Sequence, residues 1–508
     1  MAAYSVEDAV TQTTSSPYDT AAVAMLDGDP QLIGWLLNRQ HEDGSWGGQV
    51  AFASDRLLQT LMVTRTLLSL PQHELAYSLE QPIAQATAYL SRALGDWDDV
   101  AISECDLAGF ELLVPTHLRK LHEFGLLLPE LPPAIHARWQ RKLAVIPDNA
   151  FAVPAFSQLW HAAEFLEEQR GREEATHQLA STISPLSLVG SSPSATAYLL
   201  RRAHLPTSTA QALSRLLFAS RNADGGYSST TPLDSFTGLW SIYFTLQVRP
   251  EQSAHLIASF DRLLAAHDLR LGVGGNPHFA PDADDTAVAA YLAVRFGRLA
   301  AARTLSRVLL DHFYRQTGHF HTYQLEVTGS LTTNAHAISA LVLTEPLFSD
   351  PAERARMVAA RQQATLYLLT QPLRDKWHVS PYYTLLAISA AFSALPLAEQ
   401  TACLLWQDEQ RARLLGEQLD GGWGVLGRPS REETAYALLT LLTLPMVPTS
   451  TGQLRQAIIN ACTYLRTAST APLAQTELWI DKTLYQPPRV VGCVIDAAWL
   501  AAERWLEG

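Results

Sequence analysis

Lysine is nearly missing. Of 37 basic residues only Lys120, Lys142, Lys376 and Lys482 are lysines, so arginine carries the positive charge and the placement of each lysine is informative. The four cysteines, Cys105, Cys403, Cys462 and Cys493, are scattered and form no CxxC pair, which speaks against a disulfide framework and a structural zinc site. Excess positive charge is lacking too: a net charge of −13 argues against a nucleic-acid partner. No apolar run reaches the length that crosses a bilayer, and the nearest, TLLAISAAFSALPLA, is cut by Pro396, so no stable membrane insertion is expected. No signal-peptide pattern opens the chain, and together with the cysteine usage this makes a cytoplasmic location the expectation. Strand patterning is weak throughout.

What is present is a large apolar fraction, 47% of 508 residues with 12 Trp. That suffices for two or three domains, or one large toroidal domain. The organisation shows as a repeat written in turns. WLLNRQHEDGSWG sets Gln40, Gly44 and Trp46 at fixed offsets, and LLFASRNADGGYS repeats them with Arg221, Gly225 and Tyr227. LYLLTQPLRDKW carries Gln371 and Trp377, EQLDGGWG carries Glu417, Gly421 and Trp423, and LLDHFYRQTGHF is a worn copy. An amphipathic helix precedes each copy and an Ala-rich apolar helix follows it. Asp and Gly supply the turn, Asp by bonding its own backbone and Gly by tolerating positive φ. The pattern predicts an all-α protein of stacked helical hairpins closed into α/α barrels, whose inner helices enclose a cavity.

One stretch is chemically unusual. PHFAPDADDTAVAAYL opens a helix with Asp282, Asp284 and Asp285 and continues it in small and apolar residues. Acidic residues cap helix starts and suit the helix dipole, which alone accounts for the pattern. The alternative is a carboxylic acid kept protonated by its neighbours in a dry cavity.

The first turn repeat satisfies the QW motif of terpene cyclases, and DADD fits the DxDD signature of their class II branch. SPYDTAAVAML resembles the SAYDTAWVAL segment of diterpene cyclases, DGSWGGQVAFASDRLLQTL their DGSWG…DRLxNTL, and SPSATAYLL their SPSxTAxA. DKWHVSPYYT and LWIDKTLYQPPRVV resemble late signatures of the bacterial members. The chain thus resembles bacterial class II diterpene cyclases of the copalyl diphosphate synthase type.

The resemblance implies a βγ didomain, with γ spanning 29–213 and inserted into a β domain of 1–28 and 214–508. It implies that geranylgeranyl diphosphate is protonated by Asp284, supported by Asp282 and Asp285, and cyclised with its diphosphate retained. Cation-stabilising aromatics are sought in Phe236, Trp240, Trp377, Tyr382, Tyr383 and Trp423. Asn334, by holding a water, or His336 directly, is expected to take the final proton, with His378 as second choice. Lys482, matching the family's WIGKxLY lysine, is expected to touch diphosphate, with Arg56, Arg428, Arg431 and Lys376 as further contacts. Mg²⁺ is the implied cofactor. The EDxxD motif of plant relatives is missing ahead of Gly109 to Glu111, which leaves Asp98, Asp99, Glu104 and Asp106 as its expected ligands. Neither DDxxD nor (N/D)Dxx(S/T)xxxE occurs, so a separate class I synthase or phosphatase is the expected consumer of the product. The skeleton stays open between labdane and rearranged clerodane or halimane types. A farnesyl diphosphate (drimane-type) cyclase, a triterpene cyclase and a non-catalytic helical-toroid binder remain as rivals, the last two disfavoured by the lysine segment and the intact DADD.

Overall fold

A computed structural model describes residues 13–70, 78–95, 107–168, 172–326, 328–445, 451–467 and 476–507. The architecture is helical, with only two-residue strands, and its buried apolar residues gather into two large cores.

The N-terminal core is built round helix α1, Pro17–Asp27. Ser16 caps it by accepting from the Asp19 N–H, Pro17 fits its first turn, and Gly28 at φ 71° ends it. It packs on α2, Ala53–Ser69, which packs on α3, Phe110–Glu123. The short 3-10 segment Ala163–Glu168 and α4, Pro193–Arg202, lead back to α1, so the order of packing is circular. Of the segment 1–28, which the resemblance groups with the C-terminal domain, Tyr18, Ala21 and Ala22 of α1 pack in the N-terminal core. The described C-terminal core begins at Leu233.

The C-terminal core has its own circle, α5 (Asp234–Val248), α6 (Ala283–Arg295), α7 (Leu331–Thr344), α8 (Pro381–Ala394), α9 (Arg431–Thr443) and α10 (Pro488–Glu507). Each packs on the next, and α10 packs on α5. Asp282, Ser330, Ser380 and Ser430 each accept from an N–H two or three residues on, starting α6 to α9 in the same way.

The turn repeats tie outer helices to inner ones. Trp46 Nε1 donates to the Leu36 carbonyl (2.8 Å) and Gln40 Nε2 to the Gly44 and Pro82 carbonyls (3.0 and 2.9 Å). Trp423 Nε1 donates likewise to the Leu414 carbonyl at 2.8 Å. The amide there is Gln418, bonding the Gly421 and Ala457 carbonyls, not the expected Glu417. Gly44 at φ 91° is required, since a Cβ would stand 2.4 Å from the Gln85 carbonyl oxygen.

Between the cores runs a hairpin, β3 (Trp479–Ile480) paired antiparallel with β4 (Leu484–Tyr485). These are numbered after β1 (Ser15–Ser16) and β2 (Tyr227–Ser228), which pair with each other. Alternating side chains leave a strand on opposite faces. Leu478, Ile480 and Leu484 therefore join the N-terminal core, while Trp479 and Tyr485 join the C-terminal one. Among the described residues no helix is long and apolar enough to cross a membrane.

Candidate active site

The start of α6 is pinned by backbone bonds, Asp282 N–H to the Val273 carbonyl (3.0 Å) and Ala283 N–H to the Thr322 carbonyl (2.9 Å). Its three carboxylates have separate partners. Asp282 accepts from the Asp285 N–H at 2.7 Å, which makes it the helix cap. Asp285 accepts from Trp240 Nε1 at 3.2 Å. Asp284 lies 2.6 Å from Nδ1 of His336, a histidine on α7 that is packed edge-on to Trp240 at 4.7 Å.

Burial, reinforced by the charge of Asp284 and opposed by the Trp240 N–H, pushes Asp285 up to about 8. Asp282 is raised well above the carboxylate range, by burial first and Asp285 next. Burial therefore outweighs the helix N-terminus, which on its own would lower these values. Both groups titrate near 4 in an unfolded chain, so between about pH 4 and 8 the native state binds more protons than the unfolded state. Stability is expected to fall as pH rises through this window, by up to about 1.4 kcal/mol per pH unit for each proton. Urea unfolding at pH 5.5 and 7.5 checks this, and Asp285→Asn should flatten the slope.

The carboxylates line a cavity whose walls include Phe236, Phe279, Tyr323, Trp377, Tyr383, Trp479 and Tyr485. Of the six aromatics expected from the sequence, Phe236, Trp377 and Tyr383 are on this wall. Trp377 is aimed by two bonds, Nε1 to Thr322 Oγ1 and its N–H to Asp375, both 2.8 Å. Asp375 also receives the Leu331 and Thr332 N–H groups, so one buried carboxylate sets both the ring and the start of α7. The other three expected aromatics are not on this wall. Trp240 stands behind the cavity as the donor to Asp285. Tyr382 points away, its hydroxyl donating to Glu417 at 3.2 Å. Trp423 is a turn staple.

The expected bases are engaged as follows. Asn334 is tied to the loop at Phe320: Oδ1 accepts from the Phe320 N–H, and Nδ2 donates to the Phe320 and Ser330 carbonyls. His336 is taken up by Asp284. His378 is buried outside the cavity wall, with Nδ1 accepting from the Ser380 N–H and Nε2 3.6 Å from Glu432.

The sequence and fold that carry this partly buried acid and its histidine have close parallels. The copalyl diphosphate synthase of Streptomyces cyslabdanicus is 32% identical over 518 residues, covering 95% of this chain and 91% of that protein. The labda-7,13-dienyl diphosphate synthase of Streptomyces clavuligerus is 32% identical, covering 94% and 88%. The chain belongs to the class II diterpene cyclases of the bacterial copalyl diphosphate synthase family. The solved structure of ent-copalyl diphosphate synthase from Streptomyces platensis superposes with a TM-score of 0.74 at 26% identity, covering 99% of this chain and 97% of that one. No family model matches the chain.

In this cyclase a second compartment adjoins the acid cavity, and Phe279, Tyr323, Trp377 and Asp481 belong to both walls. It carries three cations, Arg138, Lys142 and Lys376. The first two stand four residues apart on the helix Pro133–Val145 and so share one face. Of the expected diphosphate residues Lys376 is on this wall, whereas Lys482, Arg56 and Arg428 lie elsewhere. Lys482 is fully buried at the hairpin tip, bonded to Ser192 (2.7 Å), Ser194 (2.6 Å) and Glu164 (3.2 Å). Arg56 donates to Ser45 Oγ and the Gly48 carbonyl within its own turn. Arg428 lines a separate polar groove with Arg39 and His41.

Asp98, Asp99, Glu104 and Asp106 lie outside the described residues. Among the described residues no group of three or more His, Cys, Asp or Glu side chains could hold a metal ion. Of the three carboxylates on the cation compartment's wall, Glu326 is bonded to Lys376 at 2.8 Å and Asp481 stands 3.1 Å from His161, leaving Glu111. The described side chains therefore do not by themselves compose a Mg²⁺ site.

Proposed function

We propose that this cyclase protonates the terminal alkene of geranylgeranyl diphosphate and closes it to a bicyclic diterpenyl diphosphate with the diphosphate retained. The observation that carries the reading is the 2.6 Å contact between Asp284 and His336 on the wall of an aromatic cavity. Nδ1–H of His336 donates to Asp284 Oδ1, so the acid proton resides on the other oxygen. That proton passes to the alkene, a C–H bond forms and the positive charge moves to the tertiary carbon. Two further alkenes then close the rings, and transfer of a proton from carbon to a water molecule ends the sequence. Asp284 is left as a carboxylate held by His336. Burial raises both Asp282 and Asp285, so the new charge on Asp284 faces neighbours that resist ionising.

Ring faces of Phe236, Tyr383 and Trp479 stabilise the intermediate cations without offering a strong nucleophile. Arg138, Lys142 and Lys376 hold the diphosphate. The N-terminal core is the γ barrel and the C-terminal core the β barrel. A product that keeps its diphosphate suits a class I synthase or a phosphatase as consumer.

Incubation with geranylgeranyl diphosphate and Mg²⁺, beside farnesyl diphosphate, followed by phosphatase and mass spectrometry tests the reading. A bicyclic diterpene alcohol is expected, whereas only linear geranylgeraniol from folded protein contradicts it. A bicyclic product from farnesyl diphosphate alone moves the substrate to the shorter chain. In the same assay His336→Phe should lower the rate at least about tenfold without changing the product. A changed skeleton at an undiminished rate would return His336 to the role of terminal base.

A further inference from the structure

The acid and cation compartments, with volumes of about 100 and 120 Å³, meet a third of about 350 Å³, larger than the two together. Among the described residues only Phe279 and Tyr323 line all three. The walls of the third include Trp160, Ile183, Leu188, Val189, Leu271 and Phe313. Among the described residues its ionisable lining groups are His267, Asp268, His278, His312 and Tyr323, with no lysine or arginine. This lining suits hydrocarbon, while a diphosphate finds its cations in the neighbouring compartment.

Phe279 is held where these spaces join. Its loop is fixed by the Phe279 N–H bond to the Asn276 carbonyl (3.2 Å) and by Asn276 Nδ2 bonds to Ser191 Oγ (2.6 Å) and the Pro232 carbonyl (2.8 Å). Its ring stands edge-on to His161 at 6.1 Å and to Tyr323 at 6.2 Å. The next turn of chain is the acid helix itself.

We infer that Phe279 is a specificity-determining residue: with Tyr323 it closes the acid cavity off from the third compartment and so limits the length of prenyl chain that is cyclised. This rests on the geranylgeranyl reading above. A C20 chain runs from Arg138, Lys142 and Lys376 past Phe279 to Asp284. A chain one isoprene unit longer needs more apolar room, and the third compartment supplies it once the Phe279 ring is gone.

The test compares kcat/KM for geranylgeranyl diphosphate and its C25 homologue, geranylfarnesyl diphosphate, in the full-length protein. Phe279→Ala should raise the C25-to-C20 ratio at least about tenfold, the scale on which an apolar pocket discriminates size. Phe279→Leu, a milder change, should fall between it and wild type. Adding Ile183→Trp, which fills the third compartment from its far wall, should cancel the gain, while Ile183→Trp alone should leave C20 turnover unchanged. A ratio unmoved in both Phe279 variants, or a gain that survives Ile183→Trp, would overturn the inference. Wild type failing on the C20 substrate would instead overturn the geranylgeranyl reading.

Discussion

Asp284→Asn should lower the rate of cyclisation by at least about 10³-fold, within the span expected for removing an essential general acid. The amide matches the carboxyl in size, and its Oδ1 can still accept from His336, so thermal unfolding should stay close to wild type. What is lost is an acidic proton next to the alkene. Carbon is a very weak base, and Asp285, raised to about 8, and Asp282, also raised, hold their protons more tightly than an ordinary carboxyl and are committed to other partners. Neither can substitute. Single-turnover assays with purified protein check this. A folded Asp284→Asn variant retaining a tenth or more of wild-type turnover would show that the proton comes from elsewhere.

Lys482→Met should destabilise the protein by about 3–5 kcal/mol, the cost of removing one member of a buried ion cluster. The ammonium is fully buried, 3.2 Å from Glu164 and 4.0 Å from Asp19, with two serine hydroxyls completing its shell. Burial pushes Asp19 up to about 6 even with Lys482 opposing it, so without the lysine its charge would be uncompensated. The same lysine fastens the hairpin that carries Trp479 and Tyr485 to the acid cavity. Chemical denaturation should therefore shift strongly. A variant as stable as wild type that bound diphosphate more weakly would restore Lys482 as a phosphate contact.

How far the sequence could be read depended on how local each interaction is. The Gln40, Gly44 and Trp46 turn is closed within a few residues, so its spacing alone exposes it. The Glu417 position failed by one residue: the chain leaves that helix with Gln418 facing the turn, and Glu417 pairs with Arg413 and Tyr382 instead. The three carboxylates of α6 are likewise local. His336 was found as a residue, but its role depends on a partner 52 residues away that helical spacing does not reveal. The amide of Asn334 satisfies the loop at Phe320, a contact set by how α7 meets that loop and not legible in the sequence.

Lys482 shows the limit of motif matching, since the letters of the segment do not say which core the hairpin tip enters. Strand alternation sends Trp479 and Tyr485 one way and Ile480 and Leu484 the other, and the lysine follows the N-terminal core. Arg138 and Lys142 reach the site from a helix that carries no recognisable motif. The one available clue was the scarcity of lysine, because two of the four lysines stand on that compartment's wall.

The most direct measurement is turnover of geranylgeranyl diphosphate in deuterated water, read by mass spectrometry of the product and by phosphorus NMR of the mixture. Protonation by Asp284 predicts a bicyclic product bearing a single deuterium on carbon, with its diphosphate intact and no inorganic pyrophosphate released. A product free of deuterium, or release of pyrophosphate during turnover, would contradict the account.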